Sequence, residues 1–119
     1  MFYKDFIRQY ENGVPMSYIK NILKEEYQRL KALSEKYHDE INSLPRGSIS
    51  IKKRNHREYL YLAYRQQRKL RFEYIGPIVS ERSKVVLKQI GLRKRFETKL
   101  KQVKKDLLEI GRVTNGRKV

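Results

Sequence analysis

The spacing of apolar residues changes twice along this chain, and this change restricts the fold more than any other feature. Over residues 16–44 the apolar side chains recur every three or four positions, the period of an amphipathic α-helix. Over residues 49–74 they alternate with polar residues, the period of a half-buried β-strand. Over residues 86–110 the helical period returns, with heptad-like steps typical of a coiled coil. The pattern predicts an α+β fold in which one long helix precedes the sheet in the sequence and another follows it.

Prolines, glycines and one serine mark the ends of these segments. Pro15 suits the first turn of a helix, and the sequence Pro-Arg-Gly at 45–47 ends that helix. Gly76 and Pro77 close the strand region, and Ser80 is a suitable N-cap for the second helix. Because the two helices have similar lengths, we expect them to pack as an antiparallel hairpin.

The strand region is predicted to be a three-stranded antiparallel meander with polar turns at 54–57 and 66–68. Alternation divides its residues between two faces, and a register slip of one residue would exchange them. The apolar face, which a helix must cover, is predicted to contain Ile49, Ile51, Leu60, Leu62, Tyr64, Leu70, Phe72 and Tyr74. The polar face is predicted to contain Ser48, Ser50, Lys52, Tyr59, Tyr61, Ala63, Arg65, Lys69 and Arg71.

Positive charge is concentrated in the C-terminal two thirds of the chain. The 119 residues carry a formal net charge of +16, and a chain of this length is expected to form a single domain. Residues 1–45 are predicted to be helical and are charge-neutral, with seven basic and seven acidic side chains. Residues 46–77, the predicted sheet, carry +7, and residues 78–119 carry +9. Residues 78–119 are predicted to form a basic helix over 78–110 and a flexible tail over 111–119. The uneven distribution of charge along the chain favours a polyanionic partner.

Several classes of protein are disfavoured by composition. There is no cysteine, which excludes disulfides and cysteine-based metal sites, and the only histidines are His38 and His56. No cluster of carboxylates, phosphate-binding glycine loop or nucleophile motif is recognisable, so we expect neither an enzyme nor a cofactor or metal. No apolar run reaches the roughly 20 residues of a membrane span, and no signal core is visible. The expected location is the cytoplasm.

Residues 44–77, LPRGSISIKKRNHREYLYLAYRQQRKLRFEYIGP, resemble the three-stranded DNA-binding modules at the N-termini of phage and transposon integrases. The plant ethylene-response-factor domain has the same plan. In these families a glycine-led strand, a tyrosine-rich strand and a basic strand form a sheet that is backed by a helix and enters the major groove. Here Gly47 would lead the first strand, and residues 59–65 and 69–75 would form the others. The resemblance implies a DNA-binding sheet.

The chain departs from the integrase pattern because a long helix precedes the sheet and no recombinase catalytic domain follows it. Recombination is therefore not implied, and the pattern also resembles uncharacterised basic proteins of mobile elements and phages. By charge and by resemblance, the candidate nucleic-acid contacts are Lys52, Lys53, Arg54, Arg57, Tyr59, Tyr61, Arg65, Arg68, Lys69 and Arg71. A second basic patch on the last helix adds Arg93, Lys94 and Arg95 as phosphate contacts.

Three alternatives remain open at this point. RNA could replace DNA, because tyrosines can stack on unpaired bases. The chain could instead be a protein-interaction module, or an inhibitor of the antitoxin or phage anti-defence type, that binds an acidic or nucleic-acid-handling partner through its helical hairpin. It could also be a monomer or a homodimer formed through the apolar helix stripes.

Overall fold

The computed structural model describes Gly13 and residues 15–116, with only the backbone of residues 115 and 116. Its elements are helix α1 (Met16–Ser43), strands β1 (Ser48–Arg54), β2 (Arg57–Gln66) and β3 (Lys69–Pro77), and helix α2 (Glu81–Gly116). This order confirms the predicted α+β fold. Residues 1–12, which belong to the segment predicted to be helical, lie outside the described residues.

The chain divides into two compact units. One contains α1 up to His38 and α2 from Thr98, and the other contains residues 39–97, with the sheet and the ends of the two helices beside it. In the first unit Ile19 and Leu23 of α1 share a core with Ile110 and Val113 of α2. Because the start of α1 lies beside the end of α2, the helices are antiparallel, as predicted. Leu30 of α1 and Val103 of α2 are buried in the same core.

The second unit is built on a sheet with strand order β1-β2-β3. Both hairpin turns consist of two residues with positive φ, Asn55 (48°) with His56 (65°) and Gln67 (51°) with Arg68 (67°). Two central residues of this conformation define a type I′ turn, whose twist matches that of the flanking strands. The turns fix the register, so that Arg54 pairs with Arg57 in the first hairpin.

The register assigns the strand residues to two faces. The helix side contains Ile49, Ile51, Lys53, Glu58, Leu60, Leu62, Tyr64, Gln66, Lys69, Arg71, Glu73 and Ile75. The open face contains Ser48, Ser50, Lys52, Arg54, Arg57, Tyr59, Tyr61, Ala63, Arg65, Leu70, Phe72 and Tyr74.

Helix α2 covers the centre of the helix side. Leu60 and Leu62 of β2 are buried against Val86 and Ile90, together with Ile75 of β3. Ile75 reaches this core at a β-bulge, where the β2–β3 register shifts between Leu60 and Tyr61. The covered face predicted for β2 is therefore confirmed. On β1, at the sheet edge, Ile49 and Ile51 remain 37% and 50% exposed.

The prediction for β3 was wrong. The sequence predicts Leu70, Phe72 and Tyr74 on the covered apolar face, but they lie on the open face, while Lys69 and Arg71 lie on the helix side. The cause is the length of the second turn. A three-residue turn at 66–68 would put Leu70 on the face of Tyr64, whereas the two-residue turn pairs it with Arg65. Because the predicted and observed turns differ by one residue, every side chain of β3 lies on the face opposite to the predicted one.

The start of α2 is fixed by serine side chains. The backbone N–H of Ser83 donates to Ser80 Oγ at 3.2 Å, which confirms Ser80 as the N-cap. The Ser83 hydroxyl, fully buried, donates to the Pro77 carbonyl at 2.7 Å. These bonds join the end of β3 to the first turn of α2.

Helix α2 is longer than predicted. The sequence predicts a flexible tail from residue 111, but residues 111–116 continue the helix to Gly116, while residues 117–119 lie outside the described part of the chain. The reason is that Val113 is buried in the core of the first unit at 6% exposure. The burial of this side chain stabilises one further turn of helix.

Candidate nucleic-acid interface

Four aromatic rings lie next to one another in the middle of the open face. Tyr61 and Tyr74 have ring centroids 5.3 Å apart at an interplanar angle of 59°, and Tyr59 lies 6.3 Å from Tyr74 at 45°. The separations and tilted geometry are those of favourable aromatic pairs. Phe72 and Tyr74 remain 48% and 49% exposed. The face thus presents aromatic surface to solvent on neighbouring strands.

Lys52 brings a cation to the rings. Its Nζ atom lies 4.7 Å from the centroid of Tyr61 and 4.4 Å from that of Phe72. Both distances are within the range of cation–π attraction. A positive charge is therefore held beside the aromatic surface, on a side chain long enough to turn toward an incoming anion.

The ends of the open face carry further cations. Arg54 and Arg57 flank the β1–β2 turn, while Arg65 and the turn residue Arg68 lie at the opposite end of β2. From Arg57 to Arg65 the strand spans about 26 Å at the usual rise per residue. The open face consequently has basic ends and an aromatic centre.

The two faces of the sheet differ in acidic content. The strands contain two carboxylates, Glu58 and Glu73, and the register assigns both to the helix side. Glu73 lies 4.0 Å from Arg82 of α2, which agrees with that side. Among the described strand residues, the open face therefore carries cations, hydroxyls and aromatic rings without an acid. Its local potential is positive.

The structure brings together six of the ten residues predicted as contacts on the strand region. Those on the open face are Lys52, Arg54, Arg57, Tyr59, Tyr61 and Arg65. Arg68 lies in the turn at one end of that face. Lys53, Lys69 and Arg71 are on the helix side, because neighbouring positions on a strand point to opposite faces. These three do not share a surface with the other six.

The three predicted residues on α2 differ in their surroundings. Arg93 is 20% exposed, and its Nη1 donates to the carbonyl oxygens of Ile41 (3.1 Å) and Leu44 (2.7 Å) at the end of α1. Its Nε donates to Glu97 at 3.0 Å. Since this guanidinium already caps a helix terminus, we leave it out of the interface. Lys94 and Arg95 are exposed.

One known family matches the sequence, over residues 9–84, and it is described as a domain of unknown function (DUF6788). The chain belongs to this DUF6788 family. The matched range contains the whole sheet and ends at Lys84 in the first turn of α2. The open face is therefore part of the DUF6788 region, whereas Lys94 and Arg95 lie beyond it. No curated protein and no solved structure matches the chain.

The sequence prediction missed Leu70, Phe72 and Tyr74 as open-face residues. A signal was present in loop length, because two-residue turns are the commonest connection in β-hairpins. Gln67 and Arg68 obscured it, since neither is glycine or asparagine, the residues that usually occupy positive φ.

Within the described part of the chain, no helix is long and apolar enough to cross a membrane. Nor do its His, Asp and Glu side chains form a group of three suited to a metal ion.

Proposed function

We propose that this protein binds nucleic acid through the open face of its sheet, without enzymatic chemistry. The observation that carries the proposal is the partition of charge and aromatic groups between the faces. Lys52, Arg54, Arg57 and Arg65 share the open face with the exposed rings, while both strand carboxylates are on the other side. Cations bind phosphates, and aromatic side chains and hydroxyls contact bases and sugars.

The net charge of the chain agrees with this assignment. A charge of +16 on 119 residues attracts polyanions at long range and raises the rate of encounter. Charge alone does not choose a surface, because cations occur on both sides of the sheet. The open face is favoured because its cations surround groups that can contact bases.

The exposed lysine and arginine of α2, Lys94 and Arg95, could add phosphate contacts of the point-charge type. They lie outside the matched family region. The proposed role of α2 is therefore secondary to that of the sheet.

A second candidate function is the binding of an acidic protein. The observation in its favour is Leu70, which is 55% exposed on the open face beside half-exposed Phe72. Exposed aliphatic and aromatic side chains within a basic rim also suit a protein interface. This candidate predicts that removal of Leu70 weakens partner binding as strongly as removal of a ring.

The proposal can be tested by fluorescence anisotropy with random duplex DNA, single-stranded DNA and RNA of equal length, titrated across salt. With Lys52, Arg54, Arg57, Arg65 and Arg68 each neutralising one phosphate, the log–log salt slope should be about −3.5 on single strands and about −4.5 on duplex DNA. Binding weaker than about 100 µM to every probe at physiological salt would overturn the proposal.

The matched pair for this test is Arg65→Ala and Arg71→Ala. Both residues are exposed, both are on the β2–β3 hairpin and both changes remove one positive charge, but Arg65 is on the open face and Arg71 on the helix side. Arg65→Ala should weaken binding several-fold more than Arg71→Ala. Equal losses would mean that the sheet contributes only diffuse charge. Circular dichroism of both variants checks that the fold is retained.

A further inference from the structure

We infer that the ligand of the open face is unpaired nucleic acid, bound by stacking of its bases on the aromatic rings. This inference rests on the proposed function and goes beyond it, because nucleic-acid binding alone does not choose between duplex and single strand. The observation behind it is the position of Phe72 and Tyr74, which join Tyr59 and Tyr61 on one surface.

The rings form a connected platform across the sheet. Tyr74 lies within 6.3 Å of both Tyr59 and Tyr61, and Lys52 connects Tyr61 to Phe72. Adjacent rings on neighbouring strands offer successive bases separate places to stack. About half of the surface of Phe72 and of Tyr74 is open to solvent, so a base can reach them without a rearrangement of the sheet.

Duplex DNA is a poorer match for this surface. In a duplex the base faces are already stacked on one another, and a protein reads base edges with hydrogen-bonding side chains such as Arg, Lys, Asn and Gln. The centre of the open face instead has four aromatic rings, while its arginines are at the two ends. Bases without pairing partners expose their π-faces, and these can stack on such rings with little dependence on sequence.

The cations complete the arrangement. Arg54 and Arg57 at one end and Arg65 at the other can hold phosphates on either side of the stacked bases, about 26 Å apart along β2. Lys52 lies beside the rings, where the phosphate of a stacked nucleotide would approach. This combination of an aromatic platform and flanking positive charge is the one that single-strand binding proteins use.

The test compares unpaired and paired probes on the full chain. Oligo(dT) and oligo(rU) of about 12 nucleotides, within the site sizes of single-strand binders, are titrated beside a duplex of equal length. Both single strands should bind on the order of tenfold more tightly than the duplex at the same salt concentration. The comparison of oligo(dT) with oligo(rU) decides whether DNA or RNA is the source of the unpaired bases.

The variants are Phe72→Leu and Tyr74→Leu, which keep apolar volume but remove the ring. Each should weaken single-strand binding by about tenfold and leave duplex binding and the salt slope unchanged. Tyr18→Leu is the matched control, because Tyr18 is 63% exposed on α1 and is not part of the sheet. It should have no effect on either probe. Circular dichroism and thermal unfolding check that the ring variants remain folded.

The outcomes separate the two proposals. If the duplex binds as well as the single strands, or if ring removal weakens both equally, the stacking inference is wrong while nucleic-acid binding stands. If no probe binds more tightly than about 100 µM, both proposals are wrong. Quenching of tyrosine fluorescence by oligo(dT), reduced in Tyr74→Leu but not in Tyr18→Leu, would support stacking independently of affinity.

Discussion

Tyr61 of β2 and Tyr74 of β3 pair across the sheet, and their ring centroids are 5.3 Å apart on the open face. Because the rings contact each other, their contributions to stability should not be additive. A double-mutant cycle of Tyr61→Leu and Tyr74→Leu should give a coupling free energy of about 0.5–1.5 kcal/mol in urea unfolding. The control cycle combines Tyr61→Leu with Tyr64→Leu. Because Tyr64 is on the opposite face, the effects of these two substitutions should be additive. Additivity in both cycles would mean that the rings are not in contact.

The β2–β3 turn determines which side chains share a face with Tyr61. Arg68 has φ of 67° in this turn, a conformation that disfavours side chains with a Cβ atom. Arg68→Gly should therefore raise the free energy of unfolding by roughly 0.5–1 kcal/mol, measured by urea denaturation. Arg68→Ala removes the same charge without providing conformational freedom, and it should not stabilise the protein. A destabilised glycine variant would argue against the two-residue turn and against the face assignment of β3.

The same turn explains why the sequence predicted the faces of β1 and β2 but not that of β3. For the first hairpin a four-residue turn at 54–57 was expected and a two-residue turn is present. The difference is even, so Ile51 and Leu60 remain on one face. For the second hairpin the difference is one residue, and Phe72 changes sides. The alternation of apolar and polar residues identifies a strand. Which face of that strand is buried depends on the length and geometry of the turn before it, and the alternation alone does not determine these.

Contacts between residues that are distant in the sequence could not be predicted from local pattern either. The stripes of α1 and α2 were predictable, since Leu30 and Val103 both occupy periodic positions and both are buried. Nothing in the local sequence distinguishes Arg93, which caps α1, from exposed Arg95 two positions later. The candidate contacts on β1 and β2 were thus predicted with the exception of Lys53, which lies on the helix side. The face of Phe72 was misassigned because it depends on turn length, and the capping role of Arg93 was missed because its partners are distant in sequence.

Arg93 should contribute more to stability than its neighbours on α2. Its guanidinium donates to the carbonyl oxygens of Ile41 and Leu44. Replacement of Arg93 by alanine would remove both of these hydrogen bonds from the end of α1. Arg93→Ala should lower the free energy of unfolding by about 1.5–3 kcal/mol in urea denaturation. Arg95→Ala, an exposed change of the same kind, should stay within about 0.5 kcal/mol of the wild type. Similar losses in both variants would contradict a capping role.

Two glycines should respond to alanine in opposite directions. Gly47, just before β1, has φ of 126°, and a Cβ there would lie 2.8 Å from the Ala63 carbonyl oxygen. Gly47→Ala should therefore destabilise the protein by about 1–3 kcal/mol. Gly91 lies within α2 and a Cβ there meets no atom within 4 Å, so Gly91→Ala should stabilise it by about 0.5–1 kcal/mol. Thermal unfolding of the two variants would show the opposite shifts, and a neutral Gly47→Ala would contradict the close approach of β1 to β2.

Lys52 and Lys53 provide the sharpest test of which face binds phosphate. They are adjacent on β1 and both exposed, but Lys52 is on the open face beside Tyr61 and Phe72, whereas Lys53 is on the helix side opposite Glu58. Methionine at either position keeps an apolar stem of similar length and removes the charge. Lys52→Met should make the log–log salt slope shallower by about 0.7 on single strands or about 0.9 on duplex DNA, measured by anisotropy across salt.

Lys53→Met should leave that slope unchanged, because a cation on the opposite face releases no counterion from the bound strand. The two variants have the same net charge, so long-range attraction is reduced equally and affects both association rates alike. A difference in slope between them therefore reports contact with phosphate rather than total charge. If both variants lost the same slope, the nucleic acid would be held by the charge of the whole β1 edge, and the open face would not be its binding surface.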